Sequence, residues 1–214
     1  MTPRAADDVR HPVFARLYAR ASPGVERKGA AEHRAEMLAG IAGRVLELGA
    51  GNGLNFAHYP AAVAEVLAVE PEPYLRERAT DAAAQAPVPI TVVAGVADAL
   101  PAGDGAFDAA VASLVLCTVP DQAAALAGIH RVLRSGGALH FYEHVVAGGR
   151  LGTAQRWLDR SGVWPRLGGG CHGARDTAAA IEGAGFAIER CRRFDFPSGP
   201  VPVPHVIGVA RRSD

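Results

Sequence analysis

One stretch limits what this chain can fold into: Arg44-Val-Leu-Glu-Leu-Gly-Ala-Gly-Asn-Gly-Leu-Asn-Phe56. A short apolar run, Val45 to Leu48, breaks into three glycines, Gly49, Gly51 and Gly53. A helical pattern then starts at Leu54 and runs to Tyr59 before Pro60. Such an order reads as a buried strand, a tight turn and a helix. Glycine reaches positive φ and has no Cβ, so a ligand can approach the main chain. The stretch therefore predicts a small molecule held at the carboxyl end of a strand.

The rest of the chain alternates around it. Strands are expected at 66–69, 89–93, 107–112 and 138–146, with helices at 74–84 and 121–133 and a turn at Ser135-Gly-Gly137. Asp121 is placed to cap the second of these helices. Beyond Gly148 come an irregular segment to Ala174, a short helix from Asp176, a strand from Gly185 to Arg193, a proline-rich connection from Pro197 to Pro204 and a last strand, His205 to Ala210. Ahead of the glycines, one helix carries Phe14, Leu17 and Tyr18 and is interrupted at Ser22-Pro-Gly24; a second runs from Val25 to Ile41. Alternating strands and helices imply a mostly parallel sheet of seven strands with helices on both faces, a Rossmann-like α/β fold. Ligands bind such sheets at the carboxyl ends of the strands. Gly49–Gly53, Glu70, the Gly95–Asp98 loop and Cys117–Val119 all fall there.

Charge narrows the ligand. The whole chain is neutral, which argues against nucleic acid as a partner. Residues 44–149 carry five basic and eleven acidic groups, a middle suited to a cationic ligand. The glycines are spaced G-x-G-x-G, not the G-x-G-x-x-G of a dinucleotide turn. Glu47, two places before Gly49, would repel a pyrophosphate and tolerate an amino group. Cys117, Cys171 and Cys191 are widely spaced, so no disulfide framework and no metal are expected. His172 stands beside Cys171 without further ligands nearby in the sequence. No apolar run approaches the ~20 residues of a membrane span, and Met1–Arg10 is not a signal peptide; the expectation is a cytoplasmic protein with no integral membrane segment.

Val45-Leu-Glu-Leu-Gly-Ala-Gly-Asn-Gly53 resembles the first motif of class I S-adenosylmethionine-dependent methyltransferases. Val69-Glu-Pro71, Gly95-Val-Ala-Asp-Ala-Leu-Pro101, Phe107-Asp108 and Arg131-Val-Leu-Arg-Ser-Gly-Gly137 extend the likeness over about residues 44–146. Asn55-Phe56, Leu114-Val-Leu-Cys-Thr-Val119, Glu143-His-Val145, Gly170-Cys171 and Pro204-His-Val-Ile-Gly208 are similar to the alkyl thiol S-methyltransferase branch. The animal members of that branch have an N-terminal membrane anchor, which is not expected here.

The resemblance implies S-adenosyl-L-methionine as cofactor. Glu70, followed by Pro71, would accept hydrogen bonds from the ribose hydroxyls. Gly49, Ala50 and Gly51 would admit the methionine part, with Glu47 and Asn55 at its ammonium end. Val96 stands where many relatives have an acidic residue, so adenine would rest on Val96 and Ala97, with Asp98 in reach. Cys117 and Thr118 would line the cofactor. A thiol or hydroxyl acceptor must lose a proton, and the candidate bases are His144 and Glu143, then His172 and Asp98. His140 and His205 read as structural, and Trp157, Trp164, Phe194 and Phe196 as candidate walls of an acceptor pocket. The expected organisation is a helical cover at 1–43 and one methyltransferase unit at 44–214, with an insertion at about 148–174. The small-molecule acceptor is open between thiol, which is favoured, quinone, phospholipid amine and natural-product hydroxyl. A noncatalytic cofactor-binding regulator is the alternative, and a homodimer is compatible with all of these.

Overall fold

Seven strands form a single sheet in the order β3-β2-β1-β4-β5-β7-β6. The structure is a computed structural model and describes residues 9–162, 166, 169–197 and 202–213. The strands are β1 (Gly43–Leu48), β2 (Val63–Val69), β3 (Ile90–Val93), β4 (Phe107–Ser113), β5 (Leu133–His144), β6 (Phe186–Phe196) and β7 (Val203–Arg212). The helices are α1 (Pro12–Val25), α2 (Ala31–Leu38), α3 (Pro73–Ala83), α4 (Gln122–Val132), α5 (Gly149–Arg160) and α6 (Thr177–Gly183). β1 pairs in parallel with both β2 and β4, whereas β7 runs antiparallel to β5 and β6. The order reverses between β1 and β4, and that gap is where an open α/β sheet receives its ligand.

Alternation along the strands sorts side chains between the two faces. Leu46, Leu48, Leu139 and Phe141 pack on one face with Leu126 and Ile129 of α4. Val45, Val111 and Tyr142 pack on the other with Met37 and Leu38 of α2 and with Phe56 and Tyr59. The same alternation turns Glu47 toward the α2 face and sends Glu143 and His144 to opposite faces. Asp108 ties the sheet together at its far end: its Oδ2 accepts from Arg44 N–H at 2.7 Å, and Oδ1 pairs with Arg134 at 2.6 Å.

Four local expectations are corrected. The irregular segment expected beyond Gly148 opens as a helix, α5, over Gly149–Arg160. The break expected at Ser22-Pro23-Gly24 is absent: α1 runs through Pro23 and ends at Val25. A proline near the end of a helix removes one amide bond without stopping the chain. The kink falls instead at Gly29, φ 111°, inside a π-turn over Glu26–Ala30. The helix expected from Leu54 is a single 3-10 turn, Phe56–His58. The turn at 135–137 lies inside β5 as an irregularity in its pairing with β4. There Gly136 takes φ 68°, and the ladder resumes at Ala138. The proline-rich connection at 198–201 and Trp164 lie outside the described residues.

Candidate active site

The glycine turn is fastened to β2 before any ligand is considered. Gly49 N–H and Ala50 N–H both donate to Val69 O, at 2.8 and 3.1 Å. Gly49 takes φ 64°, and a Cβ on it would lie 2.3 Å from Val115 Cγ2. Only glycine lets the β4 exit approach this closely.

Glu70 follows β2 and is buried. Its Oε2 accepts from Gly51 N–H at 2.7 Å and its Oε1 from Glu72 N–H at 2.9 Å. Each carboxylate oxygen accepts two bonds, so one acceptor site per oxygen remains for a diol. Burial pushes the carboxyl up to about 7, against the pull of the two amides. Pro71 stands beside it, half-buried, and its carbonyl accepts from Arg76 at 2.9 Å.

Glu47 lies beneath the turn and not inside it. It is buried, with Oε1 accepting from Asn55 Nδ2 at 2.8 Å and Oε2 from Tyr59 OH at 2.6 Å. Burial pushes it up to about 7 as well. Asn55 is held by its other end, its Oδ1 accepting from Arg34 at 2.8 Å. Arg34 also donates to Ser113 Oγ at 3.0 Å and pairs with Glu26. Sequence reading missed Arg34 and Tyr59; no local pattern marks a buried partner 21 residues away.

Val96 is buried and bridges Ala99, Ala97 is half-buried, and Asp98 is exposed. Across the turn lies α1. A Cβ on Gly51 would stand 3.6 Å from the Tyr18 ring, and Asn52 donates to Ser22 Oγ at 3.0 Å. Arg16 sits over the Tyr74 ring at 5.5 Å, and Phe14 packs where a Cβ on Gly169 would collide with it. The α1 face thus spans the turn, α3 and the 169–175 loop.

The opposite wall comes from the ends of β4 and β5. Leu114 takes φ 55°, a conformation costly for a branched side chain. It bends the chain so that Val115, Leu116 and Cys117 turn their amides toward Glu143. Glu143 is completely buried and accepts from all three, at 2.9, 2.8 and 3.2 Å. Oε1 accepts two of these bonds and Oε2 one, so the carboxylate braces the Val115–Cys117 turn. His172 donates its backbone N–H to Cys117 O at 2.7 Å, while its ring lies 4.0 Å from Asp159. Thr118 Oγ1 is 3.6 Å from Cys117 Sγ.

His144 leaves β5 on the other face. Its Nδ1 lies 3.6 Å from Cys171 Sγ and 3.9 Å from Cys117 Sγ. The three ligand atoms lie within 4.8 Å of one another. Cys117 and Cys171, widely spaced in the sequence, meet at His144 in the fold, and the His172 ring is not part of this cluster. The Cys171 thiol and burial push Cys117 well above the ordinary thiol range. The His144 ring stacks edge-on with His205, centroids 4.4 Å apart, and His205 packs on Tyr142, Phe194 and Phe196. Trp157, by contrast, is 68% exposed on α5 and walls nothing. His140 hydrogen-bonds Met37 O at 2.6 Å and is structural, as expected.

A Rossmann-like sheet with a glycine turn after β1 and a buried glutamate after β2 is the class of fold that binds nucleosides and nucleotides at its switch point. A family model described as a methyltransferase domain matches residues 46–141. Human thiol S-methyltransferase TMT1B is 35% identical over 181 residues, 81% of this chain and 73% of its own. Human thiol S-methyltransferase TMT1A is 33% identical over 181 residues, with the same two coverages, 81% and 73%. A solved S-adenosylmethionine-dependent methyltransferase from Mesorhizobium loti has a TM-score of 0.62 at 25% identity, over 86% of this chain and 99% of that one. A Bacillus halodurans protein solved as a methyltransferase candidate reaches 0.71 at 15% identity, over 86% and 99%, which shows the shared fold. The chain belongs to the S-adenosylmethionine-dependent methyltransferases, in the branch of the thiol S-methyltransferases TMT1A and TMT1B. It is a methyltransferase whose cofactor is S-adenosyl-L-methionine. Among the described residues no helix is long and apolar enough to cross a membrane.

Proposed function

We propose that the acceptor is a small or lipophilic thiol, methylated on sulfur. The observation that carries this reading is the sulfur-and-imidazole end of the site, Cys117, His144 and Cys171, set against an aromatic wall. Soft, polarizable groups and apolar rings suit a thiol better than an amine or a phosphate headgroup. The thiol S-methyltransferase relatives support it from outside the geometry.

The cofactor supplies a methyl group on a sulfonium, an electrophile that needs no covalent enzyme intermediate. The residues present fit it. Glu70 keeps one acceptor site per oxygen for the ribose diol, and Gly51 keeps the space a Cβ would take. Val96 and Ala97 would pack the adenine, and Gly49 and Ala50 the methionine chain. Glu47 and Asn55 act from below the turn, where a buried carboxyl favours an ammonium above it. Cys117 and Thr118 bound the cofactor on the acceptor side. Glu143 positions Cys117 through three amides, and His144 faces the acceptor sulfur. Fixing the acceptor in line is worth as much as ~7–11 kcal/mol of barrier. The helical cover expected at 1–43 brings Tyr18 against the turn, 3.6 Å from where a Cβ on Gly51 would stand.

The test is turnover of an alkyl thiol, a phenol, a hydroquinone and an ethanolamine phospholipid under saturating cofactor. The expected product is the methyl thioether, with kcat/KM at least tenfold above the other acceptors. Cofactor binding without turnover on any of them would favour the noncatalytic reading.

A further inference from the structure

How the acceptor thiol loses its proton is answered by the same three side chains, and the answer rests on the thiol reading above. We propose that Cys117 Sγ, Cys171 Sγ and His144 Nδ1 bind one thiophilic divalent cation, zinc by its chemistry, whose fourth position takes the acceptor thiolate.

Geometry carries the inference. A tetrahedral site with metal–sulfur bonds of about 2.3 Å and a metal–nitrogen bond of about 2.0 Å has sulfur–nitrogen edges of roughly 3.5 Å and a sulfur–sulfur edge of roughly 3.8 Å. The two sulfur–nitrogen separations are 3.6 and 3.9 Å, and all three ligand atoms lie within 4.8 Å of one another. Small rotations of two thiols close the figure. Two cysteines and a histidine with a fourth position open are a donor set known from catalytic zinc, and thiolates select zinc over the hard cations.

The surroundings hold the ligands in place. Three amides on Glu143 fix the Val115–Cys117 turn. The Cys171 loop is tied to the same turn by His172 N–H on Cys117 O at 2.7 Å and by Arg175 on Leu116 O at 2.5 Å. The edge-on packing of His205 on the His144 ring limits its rotation. Such supporting contacts are what orient metal ligands. The proposal gives the fourth position to the acceptor sulfur, with Thr118 Oγ1 3.6 Å from Cys117 Sγ beside it.

The chemistry balances without an oxidant. A metal–sulfur bond forms, the acceptor S–H bond breaks, and its proton leaves to solvent. The sulfur is then a thiolate at neutral pH. His144 serves as a ligand, in place of the base's role expected from the sequence.

The test is cobalt titration of the purified chain under a phosphine reductant, read by thiolate-to-cobalt absorption, with cofactor calorimetry as the folding control. The wild type should take up one equivalent and yield it to zinc. Cys171→Ser should weaken uptake at least tenfold, as should His144→Ala. Cys191→Ser, at an exposed cysteine outside the set, should match the wild type. Hexanethiol should raise the absorption by about half, from two thiolates to three. An absence of thiolate–cobalt absorption in the wild type overturns the site, as does unaltered absorption in folded Cys171→Ser. No response to hexanethiol overturns the open position. If hexanethiol shifts the spectrum but is never methylated, the cation site stands and the thiol reading falls. If chelator-stripped protein methylates hexanethiol at full rate, the thiol reading stands and the cation falls.

Discussion

The cofactor side of the site and the acceptor side are built in opposite ways. The cofactor side is nearly continuous in sequence: the glycine turn and Glu70, 19 residues from Gly51, joined through backbone amides. The acceptor side joins Cys117, His144 and Cys171, two successive gaps of 27 residues, through side chains. The first side offers oxygen and backbone groups; the second offers sulfur and imidazole. On the proposed reading the cofactor lies at the reversal between β1 and β4, which belongs to the fold itself. The proposed acceptor end is built from strand ends and the 169–175 loop, the kind of segment that can specialise.

The sharpest way to break this division is Glu70→Ala. Two charge-assisted bonds to a diol are worth about 1.5–3 kcal/mol each, so cofactor affinity should fall about a hundredfold or more. Calorimetry checks it, and an unchanged affinity would remove Glu70 from the cofactor side. Gly49→Ala comes next: a residue forced to φ 64° with its Cβ against Val115 should cost about 1–3 kcal/mol of stability, read as a lowered Tm. Because Val115 belongs to the acceptor side, this variant also measures how rigidly the two sides are joined.

Protons offer a third probe. Glu47 and Glu70 are both raised from 4.5 to about 7 by burial. A raised carboxyl favours the folded state while protonated, so that stability is full below pH 4.5 and is lost as pH rises through 7. Unliganded protein should therefore lose stability across that window. A cationic cofactor favours the ionised carboxylates, so its affinity should rise with pH up to about 7, by as much as about tenfold per unit for each of the two. Calorimetry in two buffers of different ionisation enthalpy should show proton release on binding, and a flat pH profile would count against it. The smallest effect is expected of Tyr18→Ala, which uncovers the turn and should speed cofactor release severalfold in stopped-flow traces.

The sequence was most legible where function and local structure coincide. The alternation of strands and helices, the glycine turn and the placing of Glu70 follow from residues near one another. The helix expected after Gly53 shrank to one 3-10 turn, because Pro60 leaves it no room to grow. The partners of Glu47, Asn55 and Tyr59, and the three amides on Glu143 come from folding and carry no mark in the local sequence. Arg34, Tyr59 and the sulfur cluster were hidden because each depends on packing between separated segments. The sites at 117 and 171 look isolated along the chain and are neighbours only once β4, β5 and the loop are folded.

The division itself is tested by one paired measurement: cofactor affinity and thiol turnover on Glu70→Ala and Cys171→Ser side by side. Glu70→Ala should lose cofactor affinity by about a hundredfold. Cys171→Ser should keep wild-type cofactor affinity and lose most of its thiol turnover. Equal loss of cofactor affinity in both variants, or full thiol turnover in Cys171→Ser, would contradict the account.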